Sequence, residues 1–335
     1  MLFFTEMWER FSYYGMRAIL SLYMIEALLY NTSLTSTIYG YYTGLVYLTP
    51  LLGGYVADRY WGNRKSIVVG GILMALGQFS LALSSYFYTP SAASSATYSF
   101  FIFNNQTIFF LGGLFLLVMG NGFFKPNISS MVGFLYPKND SRRDSAFTIF
   151  YMGINLGALI SPLIVGTLGD TGNPSDFMYG FLAAGIGMII GLVVFLVSKN
   201  RYLVTPEGEN VGSKPAPAQG DKKCSPESLT PVEKERIAVI FILAFFVIFF
   251  WASFEQAGVS LTFFANQNVD RVISALHSFT IPTPWFQSIN PLLIMLIAPI
   301  FSIMWPKLRK KGWEPSIPTK MAIGLVLLSV GFMIL

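Results

Sequence analysis

LFFTEMWERFSYYGMRAILSLYMIEA, residues 2–27, is an apolar, aromatic run long enough to cross a bilayer, yet Glu6, Glu9, Arg10 and Arg17 lie inside it. At a helical advance of about 100° per residue, Glu6, Arg10, Tyr13 and Arg17 share a narrow stripe, with Glu9 about 60° to one side. A charged side chain near the bilayer centre costs about 2.5–3.5 kcal/mol on insertion scales, so the stripe must face a cavity or a partner rather than lipid.

The rest of the chain agrees with a membrane setting. Hydrophobic residues make up 53% and charged residues 12% of the 335 positions, against roughly 25% charged in a soluble domain, and the mean hydropathy is +0.56. The fold class is therefore all-α and polytopic. Nine apolar stretches, each near the roughly 20 residues a crossing needs, run over 2–29, 38–57, 67–88, 107–124 (continuing towards 135), 146–168, 177–197, 237–265, 285–305 and 320–335. The chain starts almost on the first span and stops inside the last, which suggests a longer native protein with an incomplete second half.

Basic residues set the orientation. Arg59, Arg64 and Lys65 follow span two; Lys138, Arg142 and Arg143 follow span four. Lys199, Arg201, Lys214, Lys222, Lys223, Lys234 and Arg236 follow span six, and Lys307, Arg309, Lys310 and Lys311 follow span eight. Only Arg271 lies in an opposite loop, so the positive-inside rule places the N-terminus and these loops in the cytoplasm. The net charge of +5 is thus topological and implies no nucleic-acid partner. Residues 208–227, rich in Gly, Pro, Ser, Lys and Glu without apolar period, form a flexible linker. The expected domains are a six-helix bundle over 1–198, a cytoplasmic linker over 199–236, and three helices of a second bundle over 237–335.

Several chemistries have no support in the sequence. His277 is the sole histidine and Cys224 the sole cysteine, which leaves no multi-histidine metal site and no internal disulfide. There is no Walker-type phosphate loop, H-E-x-x-H or G-x-S-x-G. The expectation is a non-enzyme with no cofactor.

The loop between spans two and three, Gly54-x-x-Ala57-Asp58-Arg59-x-x-Gly62-x-Arg64-Lys65, resembles the motif found there in major facilitator transporters, whose plan is two pseudo-symmetric six-helix bundles joined by a cytoplasmic linker. Asp58 and Arg59 are the gating candidates it suggests. Within that superfamily, residues 3–15 resemble the helix-one motif of the proton-coupled oligopeptide transporters. Phe123-Phe124-Lys125-Pro126-Asn127, Phe150 to Gly157, Trp251-Ala252-Ser253-Phe254-Glu255-Gln256 and Trp285 to Pro291 are similar to further stretches of the same family, in the same order. The resemblance implies a symporter of the bacterial inner membrane, acting as a monomer, that imports di- and tripeptides by alternating access with protons as the coupling ion.

The resemblance places Tyr13, Tyr14, Arg17, Tyr47, Lys125, Asn155, Trp251 and Asn290 in the central cavity. This suits a zwitterionic peptide, whose carboxylate needs a cation; Arg17 offers a planar fork and Lys125 a point charge. Glu255 is the favoured proton site, with Glu6, Glu9 and Arg10 as its partner group, and sequence alone does not choose between them. Other roles suit the same residues: a structural ion network for Glu6, Glu9 and Arg10, interhelical glue for Asn155, ordinary packing for the aromatics. A transporter of another small anion or modified amino acid, or a peptide-binding relative that does not transport, fits the same motifs. Glu26, near the outer end of span one, reads as solvated.

Overall fold

The structure, a computed structural model, describes residues 1–88, 104–137, 140, 142–204, 210–213, 230–274 and 279–335. Cys224, His277, Lys138 and most of the expected linker lie outside the described residues. The chain divides into two compact units, one made of 1–216 with 262–295, the other of 217–261 with 296–335.

In the first unit, α1 (Leu2–Glu26), α2 (Thr32–Val56), α3 (Asn63–Tyr86), α4 (Asn105–Phe134), α5 (Arg142–Gly169) and α6 (Phe177–Tyr202) follow one another as long helices. α2 starts six residues before the sequence-based boundary because Asn31 caps it, its side chain accepting from the Leu34 N–H at 2.8 Å. Polar Thr and Ser in that first turn hide it from an apolarity reading. Asn104 caps α4 in the same way, on Thr107 N–H at 2.8 Å. Both caps satisfy a donor that the helix itself leaves unpaired. A five-residue π-turn, Ala57–Trp61, ends α2, and Gly62 at φ +75° turns the chain into α3.

Small residues bring the helices close. A Cβ on Gly53 of α2 would fall 1.9 Å from the Gly122 carbonyl oxygen of α4, and one on Gly157 of α5 would fall 2.3 Å from the Met7 carbonyl oxygen of α1. Such contact is how helices associate where lipid removes the hydrophobic drive between them. On the other side of α1, Met16, Ile19, Leu20 and Tyr23 are fully buried. The Tyr23 ring meets Phe177 and Phe181 of α6 edge-on, and its hydroxyl lies 2.6 Å from Ser84 Oγ of α3. α1 is therefore enclosed along much of its length, which is how a helix with five charged residues is kept from lipid.

Arg64 builds a clasp at the C-terminal end of α6. Its Nε donates to the Val211 carbonyl at 2.7 Å, Nη1 to Asn200 Oδ1 at 3.1 Å, and Nη2 to the Lys199 carbonyl at 3.3 Å and to that of Leu203. One planar fork thus ties the C-terminal end of α6 to the segment around Val211, adding to the backbone bonds that the Lys199 and Leu203 carbonyls already accept, and puts a cation at the negative pole of that helix. Lysine cannot reach all four acceptors. Arg64→Lys is expected to lower unfolding stability by about 1.5–3 kcal/mol, the scale of hydrogen bonds to a charged group, measured as a fall in the midpoint of thermal unfolding in detergent.

The stretch 262–295 of the first unit carries most of α8 (Ser260–Asn268), the strand pair Val272–Ile273 and Phe279–Thr280, a 3-10 turn Thr283–Ser288 and the start of α9 (Ile289–Lys310). The eighth span thus opens with a 3-10 turn rather than an α-helix at Trp285, since Pro282 and Pro284 limit helical hydrogen bonding there.

The second unit holds α7 (Pro231–Phe254) and α10 (Ile317–Ile334), which touch each other. The seventh span is not the single helix over 237–265 that its apolar run suggests. It breaks at a 3-10 turn, Glu255–Gly258, before α8. Between α9 and α10, Glu314 accepts from Arg309 Nε at 2.6 Å and from Lys320 Nζ at 2.7 Å. These bonds hold its carboxyl down to about 2, below the usual glutamate value of about 4.3. A depressed carboxyl contributes fully above the unfolded value, and the contribution disappears as pH falls through the folded one. A carboxyl-carbon titration by NMR is expected to place the Glu314 midpoint near 2 and to return it towards the ordinary value in Arg309→Ala.

Seven helices among the described residues are long and apolar enough to cross a membrane. α1 is not one of them, for the reason that makes it informative: its charges.

Candidate functional site

The α1 stripe is one ion cluster. Arg10 Nε lies 3.1 Å from Glu6 Oε1, and the same guanidinium holds Glu9 through two bonds, Nε to Oε2 and Nη2 to Oε1, the latter at 2.8 Å. Each of the three side chains is at most 3% exposed. The Arg10 guanidinium also lies 5.3 Å from the Tyr13 ring centroid and 5.9 Å from that of Tyr14, distances at which an aromatic face attracts a cation. Two carboxylates share one guanidinium fork, so the cluster carries one more negative than positive charge when fully ionised.

Lys125 supplies the missing positive charge. Half-buried on α4, its charge acts on both Glu6 and Glu9, and its ammonium lies 4.7 Å from the Tyr47 ring centroid of α2. Lys125 does not snorkel away from the helices; it is turned to the cluster.

Two turns further along α1, Arg17 is 5% exposed and donates from Nε to the Tyr39 hydroxyl at 2.5 Å. Its guanidinium lies 6.0 Å from Tyr14 and 5.7 Å from Tyr39. Tyr13 and Tyr14 pack edge to face at 5.3 Å between the two arginines. The result is a wall with an arginine at each end, aromatic rings between, and Lys125 opposite. A guanidinium presents its donors as a planar fork, the shape that suits a carboxylate.

The structure thus brings together Glu6, Glu9, Arg10, Tyr13, Tyr14, Arg17, Tyr47 and Lys125. Asn155 on α5 is buried, but its Nδ2 donates to the Tyr151 carbonyl of its own helix at 2.9 Å. Asn290 is exposed at the start of α9. Trp251, 44% exposed, and Glu255 belong to the second unit; Glu255 opens the 3-10 turn that interrupts the seventh span. Asp58 and Arg59 are exposed on the π-turn, with Arg59 Nη1 3.3 Å from the Tyr55 hydroxyl.

Other residues escaped the sequence reading. Tyr39 is one of them, since only the turn of α2 brings its hydroxyl to Arg17. Glu26 is partly buried rather than solvated, its Oε1 accepting from Asn266 at 3.4 Å. It belongs to a strap at the C-terminal end of α1 that also includes Arg271, paired at 3.9 Å with Asp170 just beyond α5, and the Thr283 N–H, which donates to Asp170 at 2.7 Å. Their positions 26, 170, 266, 271 and 283 are too far apart in the chain for any spacing to reveal the strap.

Comparison with known proteins finds relatives along the whole chain. A family model described as the POT family matches residues 64–218 and 222–335. The chain is 34% identical to the peptide transporter YePEPT of Yersinia enterocolitica, over all of this chain and 72% of that protein. It is 33% identical to a di-/tripeptide transporter of Lactococcus lactis, over all of this chain and 73% of that one. Among solved structures, a peptide transporter POT in complex with alafosfalin superposes with a TM-score of 0.74 at 32% identity, over 99% of this chain and 72% of that one. A POT family transporter in complex with 5-aminolevulinic acid gives 0.74 at 30% identity, over 99% and 74%. The buried acid–arginine cluster thus stands in a helical membrane fold shared with peptide transporters, and the chain belongs to the POT family.

Proposed function

We propose that this integral membrane protein is a proton-coupled symporter that imports di- and tripeptides by alternating access. The observation that carries the reading is the enclosed cluster of Glu6, Glu9 and Arg10 beside Lys125, with Arg17 two turns away. Carboxylates paired with a cation in a low-dielectric interior change their proton affinity whenever the pairing changes. An arginine held by aromatic rings and a hydroxyl supplies the fork that a peptide carboxylate fits. The relatives named as peptide and di-/tripeptide transporters support the substrate class.

Glu255 is the main proton site in this reading. A carboxylate at a break in a membrane helix sits where backbone is tolerated only inside protein or beside a water-filled cavity. Its protonation accompanies uptake of the peptide, whose carboxylate Arg17 takes, and inward opening with proton loss resets the cycle. Asp58 and Arg59 gate the inner end. The N-terminus and the linker after α6 face the cytoplasm, the protein works as a monomer without cofactor, and it catalyses no covalent chemistry.

A second reading has a specific support: a related transporter was solved in complex with 5-aminolevulinic acid, so another small zwitterion or anion is a competing substrate. Purified protein in liposomes, challenged with a dipeptide panel and with 5-aminolevulinic acid under an imposed inward proton gradient, separates the two. Concentrative uptake of several dipeptides is expected; uptake of the amino acid alone, or binding without uptake, would replace this reading.

A further inference from the structure

Asn121, one turn before Lys125 on α4, is 1% exposed, and neither its Nδ2 nor its Oδ1 has a hydrogen-bond partner among the described residues. A buried amide left this way costs about 1–3 kcal/mol for each unsatisfied group, and such groups in folded proteins are normally met by ordered water. The register of α4 shows where the amide points. Gly120 faces α3, where a Cβ would meet the Gly70 carbonyl oxygen at 2.8 Å; Gly122 faces α2, where a Cβ would meet Thr49 at 2.7 Å. At about 100° per residue, Asn121 falls between these two faces and about 40° from Lys125. That is the side on which Lys125 acts on Glu6 and Glu9 of α1.

A second orphan belongs to the acid cluster on which Lys125 acts. Glu6 Oε1 meets Arg10, but Glu6 Oε2 is buried without a partner among the described residues. One amide donor, one amide acceptor and one carboxylate oxygen make three polar groups, the number that a buried water ordinarily satisfies. We propose that Asn121 and Glu6 Oε2 hold a buried water between α4 and α1, beside the Lys125 ammonium, and that Asn121 is thereby a positioning residue for the acid cluster. The charged and titratable groups around the site are Glu6, Glu9, Arg10, Tyr13 and Tyr14 from α1, Lys125 from α4, and Tyr39, Tyr42 and Tyr47 from α2. α3 meets α4 through glycines and Met74 and brings none at that level. The water hydrates the Glu6 carboxylate that Arg10 shares with Glu9, which keeps its ionised form accessible at the point in the cycle when the proton must leave.

This inference rests on the proton-coupled reading above. Asn121→Leu, branched at Cγ like asparagine but without polar atoms, removes the water's anchor, and Asn121→Thr keeps a hydroxyl for it. Dehydrating a carboxylate favours its protonated form. In liposomes, Asn121→Leu is therefore expected to move the pH of half-maximal gradient-driven dipeptide uptake about half a unit or more to higher pH, with dipeptide affinity and gradient-free exchange within about twofold of wild type; Asn121→Thr stays close to wild type. An unchanged profile in Asn121→Leu, or a change confined to dipeptide affinity, overturns the proposal. Should Asn121→Leu fail to fold, a structure of the unaltered protein that resolves waters decides: a water within hydrogen-bond reach of both Asn121 and Glu6 Oε2 is expected, and an amide bonded directly to protein overturns it. If the unaltered protein shows no gradient-driven uptake at all, the symport reading fails, while that structure still tests the water.

Discussion

Arg10→Met is expected to destabilise the protein by about 3–5 kcal/mol, the cost of removing one partner from a buried ion pair. The guanidinium touches both Glu6 and Glu9. Without it, two carboxylates stay enclosed among α1 and its neighbours, and the charge of Lys125 offsets at most one of them. Proton uptake by one of them limits the damage and ends its role as a proton carrier. Arg10→Lys keeps the charge but not the fork, and a single ammonium cannot reproduce the paired bonds to Glu9. Thermal unfolding in detergent is expected to rank wild type above Arg10→Lys and Arg10→Lys above Arg10→Met. Equal stability of Arg10→Met and wild type would mean the cluster is solvated and the enclosure of α1 is misread.

Glu255→Gln is expected to abolish concentrative uptake while leaving exchange. A pH gradient of one unit stores about 1.4 kcal/mol per proton, enough for about tenfold accumulation of a peptide carried with one proton. Glutamine keeps the size and hydrogen-bonding capacity of the side chain but binds no proton, so peptide and proton become uncoupled. The variant then equilibrates a labelled dipeptide across the liposome membrane, to a ratio near one, and exchanges it against unlabelled peptide at a rate near that of wild type. If Glu255→Gln still accumulates peptide and loses only affinity, the proton site moves to Glu6 and Glu9, and the corresponding glutamines must then uncouple transport.

The legible part of this protein was the part written in cost. Apolar length marked the crossings, because a span is recognisable by what it excludes, and the charges at 6, 9, 10 and 17 stood out against it. Lys125 was legible for the same reason. What could not be read was whatever depends on rotation or on distant pairing. Tyr39 reaches Arg17 only through the turn of α2. Arg64 appeared as one more cytoplasmic cation, whereas its work is to hold Lys199, Leu203 and Val211, more than 130 positions away. The break at Glu255–Gly258 was hidden because an apolar run on both sides reads as one helix; only a single glycine hinted at it. Asn121 shows a further limit. Its sequence context is small and apolar, and nothing there distinguishes an asparagine bonded to a neighbouring helix from one with no protein partner.

The central claim is that peptide and proton cross together. Purified protein in liposomes loaded with a pH-sensitive dye tests it directly: on addition of external dipeptide without an imposed gradient, the lumen is expected to acidify in proportion to the peptide that enters, and Glu255→Gln is expected to admit peptide without acidification. Peptide entry in the unaltered protein with no change in luminal pH would contradict the account.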